Sequence, residues 1–433
     1  MRRSNDAHAR RVNRLQNLTI LLLTCSMLLL AANLPLFGTL ADSSLIELLQ
    51  AKRRMENAAP AVEQRGAPAL VFPVRIVYTN EFARVGADAL TTVSDEFEYA
   101  GTFLGEALGS ANGATPVSER QMLGALLGEG MYFDFTEVLP TELLSELLGV
   151  SAPELALVRR MLLCPADAEE AKLYVQDGTG RCLRYSTAVS SAALSDFLKT
   201  RNGSAAEFAA GLGEASEKLS PYTLVLSEPA PRPALHASNV LGSSEETILR
   251  RAEFNAHTGN RFTESSGTVI VREASSALYL RPDGAVDYLG GEATPESIYY
   301  VASLGETPTL AEASAAAQHL AVTLLDGLLG DAVLYLSGAS TDGTRTEVSF
   351  DLMVGGTPLR RADGAHAGVV TVEGTSITAF TFNVRSYTMQ ESVPLLLPFA
   401  QAAAIARVWD GAELIVAYVD TLAEEVLPAW IAE

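Results

Sequence analysis

Residues 15–37 carry no charged side chain, and they follow a tail in which Arg2, Arg3, Arg10, Arg11 and Arg14 face only Asp6. About 20 helical residues at 1.5 Å rise span a hydrocarbon core of about 30 Å, so the run is long enough to cross a bilayer. Lys and Arg are retained on the cytoplasmic side, which makes residues 1–16 a cytoplasmic basic tail, 17–37 a transmembrane signal anchor, and all that follows extracellular. Cleavage is the competing reading. Thr39-Leu40-Ala41 has the small-x-small form of a signal-peptidase site, although the apolar stretch exceeds the 7–15 residues of a signal-peptide core. In a third reading Cys25 is the acylated residue of a lipoprotein signal, but Thr24 precedes it and the apolar run continues well beyond it. Length, and Pro35 near the outer end, favour an uncleaved anchor. Thr24, Ala31 and Ala32 place small and polar groups where a helix–helix contact in lipid would want them; the alternative is an ordinary leucine-rich anchor.

The whole chain has 31 basic and 52 acidic residues, a net charge of −21, with 48% hydrophobic and 19% charged residues. A disordered acidic protein would be poor in Val, Leu and Ile; this chain has apolar side chains enough for two or three packed domains. Without the +4 tail the remainder holds 26 basic and 51 acidic residues, or −25. Such a surface repels a polyanion, and no basic cluster with interleaved aromatics occurs after the tail, so nucleic acid is excluded as a partner.

A short apolar helix at 43–55 and the breaks at Pro60 and Pro68 make residues 38–70 a stalk. Residues 71–230 read as an N-terminal α+β unit. It starts with a strand at 70–78 and helices at 81–110 and 119–127, then a half-buried alternating strand at 131–139 and a short amphipathic helix at 140–149. Strands follow at 155–164, 171–176 and 181–186, the last two joined by Asp177-Gly178-Thr179-Gly180, before a helix near 193–199 and a strand at 222–226. Pro229, Pro231 and Pro233 mark the boundary. One pattern, a helix then antiparallel strands, is then used twice: residues 231–309 (helix 245–253, strands 267–271, 276–280 and 285–288) and residues 310–433 (helix 310–329, strands 332–337, 345–354, 367–373 and 376–385). A helix at 394–407 and a strand at 413–419 close the chain. The fold class is therefore α+β: one transmembrane helix and about three helix-plus-antiparallel-sheet units.

Signatures of catalysis are sparse. His8, His236, His257, His319 and His366 show no metal-ligand spacing, and HExxH, CxxC, GxSxG, SxxK and Walker-type loops are absent. Lys52, Lys172, Lys199 and Lys218 are the only lysines. Asp134 with Glu137, or Glu96 with Glu98, could serve as an acid–base pair in a cleft; among 52 acids the competing reading is a solvated acidic face. Cys164 and Cys182, on strands expected to be neighbours, are either a disulfide or two buried thiols. No cofactor or metal site is expected.

The layout of basic tail, span, stalk and α+β units resembles the YycH/YycI group of Gram-positive membrane-anchored regulators. Several stretches are similar to its clostridial relatives: residues 131–149, Asn260-Arg261-Phe262-Thr263-Glu264 with Leu280-Arg281-Pro282-Asp283-Gly284, Arg385-Ser386-Tyr387-Thr388, and Pro428-Ala429-Trp430. The C-terminal units also look like small PepSY modules. The resemblance implies a non-enzymatic protein that acts with an essential cell-wall sensor histidine kinase and carries no catalytic residues. Two other classes are weighed against it: an envelope enzyme or wall-polymer binding protein with an acidic cleft, and a PepSY-like modulator of a protease or of folding.

Overall fold

A computed structural model describes residues 73–433, apart from 82, 88–89, 152–156, 167–168, 217, 230, 258, 304 and 306. The proposed tail with its arginines, the proposed anchor with Thr24, Cys25, Ala31 and Ala32, the proposed stalk at 38–70, and residues 71–72 lie outside the described residues. Among the described residues no helix is long and apolar enough to cross a membrane.

The fold is α+β. Strands β1 (Arg75–Thr79), β2 (Arg84–Ala87), β3 (Asn112–Val117), β4 (Gly130–Pro140), β5 (Leu157–Cys164), β6 (Glu170–Gln176), β7 (Cys182–Ser190), β8 (Ser204–Phe208) and β9 (Leu224–Leu226) form a nine-stranded sheet. Its order is β3-β7-β6-β5-β4-β1-β2-β8-β9, antiparallel throughout. Helices α1 (Leu90–Ser110), α2 (Glu119–Leu126), α3 (Thr141–Leu147) and α4 (Ser191–Lys199) accompany it. Alternation along the strands sends Ile76, Met131, Phe133, Met161 and Leu163 toward Leu104 and Leu108 of α1 and Leu194 and Leu198 of α4. Val77, Tyr132 and Leu162 go to the other face, against Met122 and Leu126 of α2. The strand expected to be half-buried at 131–139 is thus buried on both faces, because helices cover both sides of a central strand.

The expected helix at 81–110 is also corrected. Asn80 N–H donates to Ala83 O, and the Asn80 side chain accepts from Ala83 N, closing a turn that returns β2 onto β1 with Ile76 opposite Ala87. Val85 and Gly86 are poor helix formers, so pairing prevails and the helix starts at Leu90. The turn at 177–180 forms as expected: Asp177 Oδ1 accepts from the backbone of Thr179 and Arg181, and Gly180 has φ +79°.

Beyond β10 (Leu235–Asn239) and α5 (Leu241–Arg251) come β11 (Arg261–Thr263), β12 (Val269–Glu273), β13 (Ser276–Leu280), β14 (Ala285–Leu289) and α6 (Leu310–Leu325). Then follow β15 (Ala332–Asp342), β16 (Arg345–Val354), β17 (Thr357–Arg361), β18 (Gly368–Glu373), β19 (Ser376–Asn383), β20 (Arg385–Met389), α7 (Phe399–Ala406), β21 (Leu414–Asp420), β22 (Glu425–Val426) and β23 (Pro428–Ala432). Strands β20-β10-β22 make a three-stranded sheet. The others form an eleven-stranded sheet of order β11-β12-β13-β14-β19-β18-β16-β17-β21-β23, with β15 on β16. The two helix-then-strands segments join in this one sheet, since β14 pairs with β19 (Tyr288 opposite Phe380) across 92 residues of sequence. Helix α6 begins with a reciprocal capping box, Thr309 and Glu312, and lays Ala313, Ala317, Leu320, Ala321 and Leu324 into the core. That core continues under both large sheets.

Candidate interaction surface

Asp134 and Glu137, proposed from the sequence as an acid–base pair, enter two different networks and do not share a cleft. Asp134 is fully buried on β4, bonded to Arg75 on β1 and accepting from Tyr132 Oη at 3.3 Å. Arg75 Nη2 also donates to Glu413 Oε1 at 2.7 Å, while Glu413 Oε2 takes Arg159 Nη2 at 3.1 Å and Arg160 Nη2. This buried network ties β1, β4 and β5 to the residue that leads into β21. Glu137, three residues beyond Asp134 and across a break in the β4–β5 register, enters a different network. Arg360 donates to Glu137 at 2.6 Å, to Glu433 at 3.1 Å, to Asp351 at 3.3 Å and to Tyr335 Oη at 2.8 Å. Burial pushes the Glu137 carboxyl up, opposed by Arg360. Each acid is thus held by guanidinium groups. Glu96 and Glu98 lie on α1, with side chains outside those described.

Cys164 and Cys182 are free and buried. They sit not on neighbouring strands but on β5 and β7, with β6 between, and Cys164 faces Lys172 at one end of β6 while Cys182 faces Gln176 at the other. Four residues along a strand and two strands across amount to roughly 16 Å, well past the reach of a disulfide. Burial pushes the Cys164 thiol up to about 12 and raises that of Cys182. His366 Nδ1 contacts Asp351 Oδ2 at 3.1 Å and Ser337 Oγ at 3.4 Å. Because both contacts fall on one ring nitrogen, the three residues do not make the relay of a nucleophile triad. No metal-binding group of His, Cys, Asp or Glu occurs among the described residues.

What sequence reading missed lies at the C-terminal end. The helix expected at 394–407 begins only at Phe399, because Pro394 and Pro398 bias the residues before them to extended backbone. Residues 393–398 form a strap instead. Leu397 O accepts from Trp430 Nε1 at 2.8 Å, and the Phe399 ring meets Trp430 edge-on at 5.8 Å. Helix α7 buries Ala402, Ala403 and Ala406 against Leu414 and Leu219, while its outer side presents Ile405. Val393, Leu395, Leu397, Ile405, Val408 and Trp409 are exposed, Leu395 fully and Val408 by 81%. Between strap, α7 and the edge strand β23 runs a groove of about 680 Å³. Contiguous exposed apolar surface of this kind marks a protein or membrane contact. The signal was present in the sequence as a helix, Phe399–Ala406, in which Gln401 is the one polar residue.

No protein-family model matches the sequence, and no curated protein matches it. Among solved structures the chain is similar to YycH from Bacillus subtilis, with a TM-score of 0.54 and 11% identity over 85% of this chain and 95% of that one. The fold is YycH-like. At this identity the likeness is of architecture. The stretches that resembled the family in sequence fall on β4 and α3, on the β11–β12 hairpin and the β13–β14 turn, on β20, and on β23, where Trp430 holds the strap.

Proposed function

We propose that this protein is a non-enzymatic, membrane-anchored regulator that binds a two-component sensor histidine kinase outside the membrane and biases its signalling state. In this reading the N-terminus is cytoplasmic, residues 17–37 anchor the chain as a single pass, and the α+β part is extracellular. The observation that carries it is the exposed apolar groove formed by the strap, α7 and β23 on an otherwise acidic, YycH-like fold. A regulator needs no reaction centre, only a surface with different affinity for two conformations of its partner. An apolar groove whose charged lining residues are Asp410 and Glu433 suits an amphipathic segment with basic flanks. Cross-linking in native membranes followed by purification of the full chain tests the reading. Recovery of a sensor kinase supports it; recovery of a protease, or of no membrane partner, sinks it.

A further inference from the structure

The edge strand of an open sheet invites pairing with another chain, and folds blunt such edges by bulges, brevity, charge or cover. Four strands end the orders of the two large sheets. β3 has a broken register against β7, and β9 and β11 are three residues long. β23 differs from all of these. It runs five residues, Pro428-Ala429-Trp430-Ile431-Ala432, with no charged side chain and in unbroken antiparallel register on β21, from Leu414 opposite Ala432 to Tyr418 opposite Pro428. Pro428, at the first position, removes only the outermost donor.

Glu413 and Glu433 exchange both backbone hydrogen bonds, at 3.0 and 2.9 Å. Bonded and non-bonded pairs alternate along an antiparallel ladder, so Ala429 and Ile431 turn their N–H and C=O groups to β21 while Trp430 and Ala432 turn theirs away. Among the described residues no backbone group takes up those outward donors and acceptors; the strap passes beside Trp430 and bonds its indole nitrogen. Every residue from Pro428 to Glu433 lines the groove, whichever face its side chain takes, which places the open backbone edge on the groove itself. A strand laid on that edge continues the sheet. Every second side chain of it falls on the side of Leu414 and Trp430, between strap and α7, where Leu395, Ile405 and Trp409 are exposed. The charged residues of the groove are Asp410 and Glu433, the latter also bonded to Arg360, and the chain after its basic tail carries −25. Like charge disfavours a second copy of this chain at the edge, and basic residues at the ends of an incoming strand are favoured.

We infer that β23 is a site of strand addition: a segment of a partner protein, apolar at alternate positions and basic at its ends, pairs with this edge and sends its apolar side chains into the groove. The inference rests on the reading of the groove as a docking surface and specifies the form in which the partner is held.

The probe is a fluorescein-labelled peptide, Lys-Val-Thr-Val-Thr-Val-Lys, titrated with the full chain in neutral detergent and read by anisotropy against micelles alone. Saturable one-to-one binding is expected, at least about tenfold weaker when glutamate replaces both lysines. A strand turns alternate amides to its neighbour, so N-methylating one set, valine or threonine, should weaken binding at least about tenfold, while methylating the other should leave it within about threefold. Loss with the valine set marks antiparallel addition, and loss with the threonine set parallel addition. Ala432→Pro removes one outward N–H, leaves the ladder to β21 whole, and is expected to weaken binding about tenfold. The methylated peptides leave the protein untouched, so the test stands if that variant fails to fold. No saturable binding, equal loss from both methylations, as a helical ligand would give, or undiminished binding by a folded Ala432→Pro chain overturns the inference. So does self-association of the parent, seen by sedimentation velocity, that Ala432→Pro abolishes, because it gives the edge to a second copy. Capture of a kinase from native membranes equally by parent and Ala432→Pro chains keeps the docking surface and overturns the strand pairing. Absence of any kinase with the parent, beside peptide binding with the expected methylation contrast, overturns the function and upholds the edge.

Discussion

Glu413→Ala is the most telling single substitution for the architecture. The Glu413 carboxylate is 3% exposed and answers three arginines, two from β5 and one from β1, while its own backbone leads into β21 of the other large sheet. Removing it leaves buried Arg75 and Arg160, and half-buried Arg159, with Asp134 alone as a neighbouring anion in the network. Breaking a buried ion pair by deleting one partner costs about 3–5 kcal/mol, because the surviving charge stays out of water. If Ala67–Glu433 unfolds as one unit, an unfolding entropy of about 2.1 cal/mol/K per residue sums to roughly 0.75 kcal/mol/K. The melting temperature should therefore fall by about 4–7 °C, in a single transition that takes both large sheets with it. Differential scanning calorimetry on the full chain checks this, with Asp363→Asn as the control. The Arg361–Asp363 pair is at the surface, and its loss should shift the midpoint by less than about 1 °C. A shift below about 2 °C for Glu413→Ala, or two transitions of which only one moves, would refute the claim that this network holds the sheets together.

Gly330 has φ +68°, and a Cβ there would overlap Tyr387 O on β20, so Gly330→Ala should cost on the order of 2 kcal/mol or more, readable by urea denaturation. The bond to Asp351 raises the His366 pKa above its unfolded value, and Asp351, despite its burial, is held below the usual carboxylate range by His366 and Arg360. The histidine's contribution is thus fully present below pH 6.5 and is lost as pH rises through its folded pKa; that of Asp351 is present above about pH 4 and is lost on acidification. His366→Asn should lower the melting temperature more at pH 5.5 than at pH 9, and an equal drop at both would count against the pair. Cys164 and Cys182 should both resist alkylation in the native protein and both react in denaturant without reductant; a mass increase that appears only after reduction would contradict the strand register.

What could be read from the sequence was local. Asp177-Gly178-Thr179-Gly180 dictates its own turn, and Thr309 with Glu312 starts α6 within a residue of where apolar periodicity places it. Residues 84–87 look helical in isolation because their pairing partner is upstream, on β1, and intrinsic preference there is weak. The union of two repeated segments into one sheet depends on Ala285–Leu289 meeting residues 379–383, a contact no periodicity announces. Asp134 and Glu137 were visible as acids, but their arginines lie between 59 and 223 residues away in sequence, so their engagement was not. The interaction surface escaped notice for the opposite reason. Its residues are ordinary core types, and only the prolines on either side of Leu395–Leu397 indicate that this stretch stays extended and outside.

In the function proposed, the strap and α7 form the docking surface for a membrane-bound kinase. Cross-linking and co-purification from native membranes, run in parallel on the parent chain and on Leu395→Asp and Ile405→Glu chains, decides whether they do. Both positions are exposed, so neither substitution should lower the melting temperature by more than about 1 °C. A sensor histidine kinase is expected with the parent, its capture reduced at least about tenfold with either variant. Equal capture by all three would contradict the assignment of the surface, and no kinase with the parent would contradict the function itself.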